Sequence, residues 1–362
     1  MLTWGSRSGR DRCRVSVVEP VPQPPSVHLV LQDGLPASAG NRITADRLRQ
    51  ALEGQGARVF LHEVADLRRQ PPPGPRSVVH ALHAVRAGIA ALDWADAAPV
   101  VWTFTGTDLD PDQCRTLEGS ASEAVSACVA YHEAARDDIA ACLPGLAPRL
   151  HLIPPGVPVP SRPTPNAGSG TDEAVLLLPA GLRPVKEPDL ALAVVADLAA
   201  RGSAARLLIA GPARDEGFAQ PFLERAAANG HATYLGEVPH GDMARLYAQA
   251  TLVLNTSRME GLSNAVLEAM AAGCAVLATD IAGNRAAIRH GIDGWLSPPS
   301  GLASAALRLC ADAALRARLG EAARQSVAQR FSVRAEAEAH LRLYRSLVAV
   351  PDLCRHGGTR PL

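Results

Sequence analysis

Short apolar runs alternate with segments of helical periodicity along most of the chain. Apolar runs such as 27–31 and 100–104 predict buried strands, whereas 41–53 repeats its apolar side chains at helical spacing and is followed by glycines. Parallel strands need a crossover segment between them, and a helix is its usual form. The alternation therefore predicts an α/β fold built on parallel sheets.

This alternation occurs twice, on either side of a break rich in Pro and Gly. The break, PPGVPVPSRPTPNAGSG at 154–170, has the composition of a linker. Beyond it, strands and helices alternate again, followed by one long predicted helix at 302–329 and a last helix at 333–348. We predict two doubly wound, Rossmann-like domains that face a cleft, with ligands at the carboxyl ends of the strands.

The order of these segments sets the predicted boundaries. The N-terminal segment is rich in Arg and Pro and lacks the apolar core of a secretory signal. A disordered tail, a transit-like segment and a start codon placed too early all fit it, so its place in the mature protein stays open. The predicted units are a disordered tail at 1–25, a first domain at 26–155, a linker at 156–173, a second domain at 174–332, a C-terminal helix that packs back at 333–350 and a flexible tail at 351–362.

Composition narrows the class of protein. The 362 residues suffice for two domains, and 47% apolar content with 20% charged residues is typical of a globular protein. Lys plus Arg and Asp plus Glu balance at 36 each, which argues against a nucleic-acid partner. Seven cysteines without a CxxC disfavour a disulfide framework or zinc site and favour a reducing, cytoplasmic compartment. Because there is no apolar run of about 18 residues, we expect no spanning helix, and peripheral membrane contact stays open.

The richest candidate chemistry lies in the stretch MEGLSNAVLEAMAA. Glu260 follows the apolar run TLVLN at the mouth of a predicted strand, and Glu268 comes eight positions later inside a predicted helix. Both carboxylates can accept hydrogen bonds from ligand hydroxyls, and the free N–H groups at the helix start suit an anion. The stretch fits a sugar, a phosphate and a ribose in that order. Taken alone, it also fits an ordinary strand, turn and helix with two surface glutamates.

A second candidate is the basic loop PAGLRPVKEP, which follows the apolar run at 174–178. It contains Gly181, Arg183 and Lys186 and leads into a predicted helix. Two cations at the end of a strand, next to a helix N-terminus, can clamp a diphosphate. A solvated basic loop fits the same residues equally well.

The first half of the chain offers weaker candidates at predicted strand ends. Gly40 and Asn41 close the loop SAGN, where a glycine lets the backbone approach a ligand. Thr107 and Asp108 end TFTGTD and can hydrogen-bond a sugar, although Asp is equally typical of a helix N-cap. His83 in ALHAV fits a satisfied core or rim histidine better than a catalytic one.

Other common site types are not indicated. No Ser-His-Asp arrangement, P-loop lysine motif or metal-ligand cluster is apparent. No GxGxxG follows the first predicted strand of either domain, which disfavours a dinucleotide oxidoreductase. The sequence therefore contains no motif that indicates a bound metal or a cofactor.

Together, these motifs resemble those of the retaining glycosyltransferases of family 4, which have the GT-B fold. The resemblance runs through most of 27–348 and rests on the E-x7-E pattern in SRMEGLSNAVLEAMAAG, on GLRPVKEP, IPPGV, LGEVPHGDMARLYAQATLVLNTS and AGN. Within the family, GNRITADRLRQAL, ALHAVRAG, TGTDL and LLPAGLRPVKEP resemble the glycosyltransferase 1 domain-containing proteins. The GNR-T start, TGTDL and SRMEG are also similar to selenosugar synthases of selenoneine biosynthesis.

This resemblance implies an acceptor-side first domain, a second domain that binds a nucleotide sugar, and a role for each candidate residue. Glu260 would contact the donor hexose, and Glu268 would bind the ribose hydroxyls. Arg183 and Lys186 would neutralise the diphosphate leaving group. The remaining implied contacts are donor binding by Gly181, Gly261, Leu262, Ser263 and Asn264, and a cleft lining that includes Gly40, Asn41, His83, Thr107 and Asp108.

The implied activity is retaining, metal-independent transfer of a hexosyl group from a nucleotide-diphosphate sugar, with UDP-sugar as the family-level expectation. The acceptor is unidentified. This chain has 105–108 where many relatives place a histidine, and Pro155 where they have an asparagine, so acceptor handling differs. A selenosugar or thiosugar synthase is one alternative. A catalytically inactive sugar-nucleotide-binding protein is the other, disfavoured because Glu260 and the basic loop are intact.

Overall fold

The computed structural model describes residues 23–161, 173–213 and 215–349. Most of the predicted N-terminal tail, most of the predicted linker and the whole C-terminal tail therefore lie outside the described residues.

The structure has two parallel six-stranded sheets, as the alternation of strands and helices predicts. The first has the strand order β2-β1-β3-β4-β5-β6 and the second the order β12-β11-β10-β7-β8-β9. The strands of the first sheet are β1 (Ser26–Leu31), β2 (Val59–Glu63), β3 (Ser77–Leu82), β4 (Val100–Thr103), β5 (Ala127–Ala130) and β6 (Leu150–Leu152). Those of the second are β7 (Ala174–Pro179), β8 (Ala205–Ala210), β9 (Ala232–Tyr234), β10 (Leu252–Asn255), β11 (Val276–Thr279) and β12 (Trp295–Ser297).

Helices cover both faces of each sheet, which explains why the central strands are continuous apolar runs rather than alternating ones. All six residues of β3 are buried, as are all four of β10. The helices of the first half are α1 (Gly40–Glu53), α2 (Val64–Leu67), α3 (Ile89–Ala91), α4 (Pro111–Arg115), α5 (Ser120–Ala124) and α6 (Glu133–Cys142). Those of the second half are α7 (Pro188–Ala200), α8 (Glu216–Asn229), α9 (Met243–Gln249), α10 (Asn264–Ala272), α11 (Ala282–Ala287), α12 (Leu302–Ala311), α13 (Ala313–Arg330) and α14 (Val333–Val348).

Two predicted helices are wrong in detail. The single helix expected at 302–329 is two helices, because the Asp312 side chain accepts a hydrogen bond from the N–H of Leu315 (2.8 Å) and so starts α13 as its N-cap. The segment after β3, which the alternation of strands and helices predicts to be helical, begins as a π-helical turn, Ala84–Gly88. The strand β12 was not predicted, since three residues give no readable period.

The strand orders place a switch point in each sheet. The chain leaves β1 towards β2 on one side, and β3 pairs with β1 on the other. In the second sheet, β7 lies between β8 and β10 in the same way. Loops that leave neighbouring strands in opposite directions open a crevice at the carboxyl ends, and ligands of doubly wound sheets bind there. The loops after β1, β3, β7 and β10 therefore define the expected binding region.

The last helix returns to the first domain. Leu341 and Tyr344 of α14 are buried in the core that covers the β1–β3 face together with α1. At the start of the connection between domains, a Cβ on Gly156 would lie 2.4 Å from the Cα of Val333, so only glycine permits this crossing. The chain thus passes twice between the domains at one place. No helix within the described residues is long and apolar enough to cross a bilayer.

Candidate active site

A cavity of about 270 Å³ lies between the two sheets, where their switch points face each other. The first-domain wall comes from the loops after β1, β3 and β4 and from the start of α1. The second-domain wall comes from the loops after β7 and β10, from α9 and from the start of α10. Of the predicted residues, all except Gly261 and Asp108 line this cavity.

The centre of the second-domain wall is an ion pair between Lys186 and Glu260. Lys186 Nζ lies 2.5 Å from Glu260 Oε1, which also accepts hydrogen bonds from Ser257 Oγ (2.6 Å) and Asn255 Nδ2 (3.3 Å). Burial would raise the pKa of Glu260. The charge of Lys186 and these hydrogen bonds outweigh it and hold that pKa below its ordinary value. Glu260 is therefore a fixed carboxylate that faces the cavity.

Lys186 is the only lysine among the 36 cationic residues of the sequence. Lysine presents a compact, strongly hydrated charge with rotatable donors, and arginine presents a planar fork. A chain that uses arginine at every other cationic position, yet keeps lysine here, indicates that this position needs the smaller group. This count is a signal in the sequence that the motif-based prediction did not use.

Arg183 is the second cation of the basic loop, and its surroundings differ from those of Lys186. It lines the cavity and makes no side-chain hydrogen bond within the part of the chain that the structure describes. Burial lowers the pKa of Arg183, the charge of Glu260 opposes that effect, and the charge of Arg86 lowers the pKa further. Arginine stays protonated under such a shift, so Arg183 is a positive charge available to a ligand.

The start of α10 adds backbone donors to the same wall. Its N-cap, Ser263, makes no side-chain capping bond, so the first amides of the helix are not satisfied by that side chain. Leu262, Ser263 and Asn264 line the cavity. With Lys186 and Arg183 nearby, this is a region suited to an anion.

Gly261 lies behind this lining, and the structure gives it a steric position. A Cβ on Gly261 would lie 2.6 Å from the carbonyl oxygen of Thr105 in the first domain. A Cβ on Gly283 would likewise lie 2.4 Å from the carbonyl oxygen of Glu260. The loop that carries Glu260 is therefore held between two backbone segments, which fixes where its carboxylate points.

A polar bridge joins α1 and α10 at the base of the cleft, and the sequence analysis missed half of it. Arg47 Nη2 donates to Asn264 Oδ1 (2.8 Å), and Arg47 Nη1 lies 3.5 Å from Glu268 Oε1. Asn264 Nδ2 donates to Gly40 O (3.1 Å) and Thr44 Oγ1 (2.9 Å). Gly40, Thr44 and Arg47 are spaced i, i+4, i+7 and so share one face of α1. That spacing was the available signal.

Glu268 is less well satisfied than Glu260. Its Oε2 accepts a hydrogen bond from Tyr247 OH (3.4 Å), while Oε1 is buried without a hydrogen-bond partner. Burial raises the pKa of Glu268, and the charges of His240 and Arg47 oppose that rise. Because Glu268 lines the cavity, its carboxylate can accept a ligand hydroxyl.

On the first-domain wall, His83 has a strained backbone. Its φ of 95° is in the left-handed region, which is rare for a residue with a side chain. Nδ1 accepts a hydrogen bond from the N–H of Arg86 (3.2 Å), so Nε2 carries the proton of the neutral ring and lies 3.0 Å from Thr107 Oγ1. Burial lowers the pKa of His83, and Arg86 lowers it further against the effect of Asp108.

Asp108 does not reach the cavity, contrary to the expectation that it hydrogen-bonds a sugar. It is fully buried, and its carboxylate accepts hydrogen bonds from the N–H groups of Ala84 (2.9 Å), Thr105 (2.9 Å) and Gly106 (2.8 Å). It therefore holds the loops after β3 and β4 together. Among the described residues, no group of three or more His, Cys, Asp or Glu side chains could hold a metal ion.

Comparisons with known proteins agree with this geometry. Residues 164–326 match the family described as glycosyl transferases group 1. Glycosyltransferase 1 domain-containing protein 1 of Xenopus tropicalis is 27% identical over 86% of this chain and 96% of its own length. D-inositol 3-phosphate glycosyltransferase of Nocardia farcinica is 29% identical over 60% of this chain, which spans about half (49%) of that relative.

Solved structures show the fold. HepE from Anabaena, in complex with UDP and glucose, has a TM-score of 0.71 at 17% identity and covers 88% of this chain and 100% of its own. Sucrose-phosphate synthase from Thermosynechococcus elongatus also has a TM-score of 0.71 at 17% identity. The match covers 89% of this chain and 99% of the synthase chain. Both share the GT-B arrangement of two facing α/β domains. The group 1 domain, the glycosyltransferase relatives and this fold together identify the chain as a glycosyltransferase.

Proposed function

We propose that this chain is a retaining, metal-independent family 4 glycosyltransferase that transfers a hexosyl group from a UDP-sugar to an acceptor. The observation that carries the proposal is the Lys186–Glu260 pair, set at a switch point beside the start of α10. Its carboxylate faces the space for a sugar, and its ammonium faces the space for a phosphate. The complex of the structural neighbour with UDP and glucose supports the choice of donor.

In this mechanism, the bond between the anomeric carbon and the diphosphate breaks while positive groups take up the growing charge on the leaving oxygen. Arg183, Lys186 and the free amides at the start of α10 supply those groups. Glu260 accepts hydrogen bonds from hexose hydroxyls and orients the sugar. Glu268 accepts hydrogen bonds from the ribose hydroxyls. The acceptor then attacks from the face that the diphosphate leaves, which retains the anomeric configuration, and its proton passes to the departing diphosphate oxygen.

A donor-by-acceptor screen tests the proposal. Purified protein is incubated with a panel of nucleotide sugars and acceptors that includes small thiol- and selenium-containing compounds. Nucleoside diphosphate release and product mass are measured, and NMR of the product gives its anomeric configuration. We expect UDP release and a retained configuration. Binding without release across the panel would instead favour an inactive sugar-nucleotide-binding protein.

The same assay tests the expected independence from metal. After dialysis against EDTA, the enzyme should keep its turnover, because Arg183 and Lys186 supply the positive charge at the diphosphate. Loss of activity that Mg²⁺ or Mn²⁺ restores would contradict this part of the proposal.

We also propose a reducing, cytoplasmic location. All five cysteines within the described residues are free thiols, and Cys114, Cys128 and Cys274 are buried. Fractionation of the native cells, with the protein traced by an antibody, tests this proposal. Recovery from an oxidising compartment would refute it.

A further inference from the structure

The two walls of the cleft differ in their charged groups. The second-domain wall contributes both of the carboxylates that line the cavity, Glu260 and Glu268. None of the lining residues of the first domain is acidic. Asp108 is fully buried beneath that wall and is occupied by backbone N–H groups. Among the described residues of the first domain that line the cavity, Arg86 alone always carries a charge.

Arg86 is a cation without a compensating carboxylate. Its Nη1 donates to the neutral amide oxygen of Gln32 (3.2 Å), and it forms no ion pair within the described part of the chain. Of the other cations at the cleft, Lys186 pairs with Glu260 and Arg47 lies beside Glu268, whereas Arg183 is assigned to the diphosphate of the donor in the proposed mechanism. The positive charge of Arg86 is therefore available to something that enters the cleft.

Arg86 also lies close enough to two other positive or titratable groups to affect them. Its charge lowers the pKa of both Arg183 and His83. Like charges gathered in one cleft repel each other, and a bound anion relieves that repulsion. In the proposed mechanism, the diphosphate of the donor occupies Arg183, which belongs to the second domain. Arg86 is on the opposite wall, where the acceptor enters.

We propose that the acceptor carries an oxyanion, either phosphate or carboxylate, and that Arg86 binds it at the first-domain wall of the cleft. The proposal rests on the proposed transferase function and adds the chemical class of the acceptor. A guanidinium matches both oxyanions, because its parallel N–H groups meet two oxygens at once. His83 fixes the backbone from which Arg86 projects, since its Nδ1 accepts from the Arg86 N–H.

Matched acceptors test the charge requirement. UDP release is measured with glycerol, glycerate and glycerol 3-phosphate, which differ in their charged group. Anionic acceptors should give a kcat/KM at least tenfold above that of glycerol. The better of glycerate and glycerol 3-phosphate then identifies the oxyanion. Equal use of all three, or preference for glycerol, overturns the proposal.

The Arg86→Gln variant tests the residue. Loss of a charge-assisted hydrogen bond should raise the KM for the anionic acceptor by about 10–100-fold and leave the KM for glycerol unchanged. Arg86→Lys should recover part of that loss. Arg58→Gln is the matched control, because Arg58 lies before β2 at the opposite end of the sheet and stacks on Phe60. Equal effects on charged and neutral acceptors would contradict the assignment.

Two binding measurements separate this proposal from failure of the transferase function. Calorimetry with UDP should give the same affinity for Arg86→Gln as for the unaltered protein, and a weaker affinity for Arg183→Gln. If Arg86→Gln weakens UDP as strongly, Arg86 binds the donor and the proposal is wrong. Inorganic phosphate should bind to the UDP-saturated protein at millimolar concentration and lose that binding in Arg86→Gln. Phosphate binding that is absent or insensitive to Arg86 overturns the proposal even if no acceptor turns over, whereas absence of UDP binding refutes the transferase proposal.

Discussion

The two walls of the cleft are built from equivalent positions of two similar sheets, yet they hold their polar groups differently. On the second-domain wall, Lys186 and Glu260 compensate each other, and Ser257 and Asn255 fix the carboxylate. On the first-domain wall, the buried Asp108 holds backbone N–H groups, and Arg86 stays uncompensated. The Lys186–Glu260 pair is therefore positioned before any ligand binds. Arg86, in contrast, has no charged partner among the described residues until an anion enters the cleft.

This difference matches two tasks. Nucleotide-sugar donors have a diphosphate and a nucleoside in common, so a fixed set of protein groups can bind them. Acceptors vary between enzymes, and the wall that meets them can change through its loops. The bridge of Arg47, Asn264 and Glu268 links the walls, so the donor-binding residues Asn264 and Glu268 contact the first domain directly.

The largest expected effect comes from breaking the organised wall. Lys186→Ala removes the counter-charge of a buried carboxylate and one of the charges at the leaving group, so we expect kcat to fall by about 10²–10³. UDP release measures it, and Arg201→Ala, which removes an exposed ion pair with Asp197, is the control. For Arg183→Ala, we expect kcat to fall by several-fold to about a hundredfold. Unchanged donor turnover in both site variants would refute the clamp.

Breaking the link between the walls should have the next largest effect. Arg47→Ala leaves Asn264 Oδ1 and the Glu268 carboxylate without their cation, at a cost of about 1–3 kcal/mol in the free energy of unfolding. We also expect weaker UDP binding and a larger radius of gyration by small-angle X-ray scattering. Arg49→Ala on the same helix, whose partner is the half-buried Asp46, should change neither. An unaltered radius with unaltered UDP affinity would show that the bridge does not hold the cleft closed.

A pH titration should separate the two glutamates of the organised wall. The pKa of Glu260 is lowered, so its contribution to stability is present above its ordinary pKa and is lost as the pH falls through the lowered value. The pKa of Glu268 is raised, so this group takes up its proton first as the pH falls from neutral. As the pH falls, the decline in donor kcat/KM should therefore begin above pH 4.5, which is the ordinary pKa of a glutamate. Glu268→Gln should remove that decline at the expense of donor KM, and an unchanged profile in this variant would contradict the assignment.

The smallest effect is expected from a substitution on the first-domain wall that leaves Arg86 unchanged. Thr107→Val removes the hydroxyl that lies 3.0 Å from His83 Nε2. Since the strained backbone of His83 is held by other bonds, we expect less than a tenfold change in acceptor KM, about 1 kcal/mol or less, and unchanged UDP affinity. Steady-state kinetics with varied acceptor measures it. A hundredfold loss of kcat would indicate that this hydroxyl contacts the reacting sugar.

Local sequence patterns predicted most of the elements but failed where a single side chain decides. Helix α14 has the predicted bounds, 333–348, because helical periodicity and flanking residues agree there. The break between α12 and α13 depends on the capping bond of Asp312, which periodicity does not reveal. The turn at His83 depends on Asp108, 25 residues later, whose carboxylate holds the N–H of Ala84.

The candidate site divides in the same way. The strand-end positions of Glu260, Arg183 and Lys186 could be predicted, because parallel strands present their carboxyl ends on one edge. Their pairing could not, since it depends on the order of β7 and β10 in the sheet. Arg47 and Arg86 were missed because each has the sequence surroundings of an ordinary surface arginine. Asp108 was predicted to line the cleft because its position after a strand is the same whether the carboxylate binds a ligand or accepts backbone hydrogen bonds.

The sequence by itself determined that this protein has two parallel α/β domains and carries its candidate chemistry in the loops after the strands, because side-chain periodicity and loop composition are local properties. Only the tertiary structure decided which of those loops meet. Strand order creates the switch points, the two domains bring α1 against α10, and burial sets which charges are compensated. These are relations between distant residues, 221 positions apart for Arg47 and Glu268 and 224 for Gly40 and Asn264, and no local pattern encodes them.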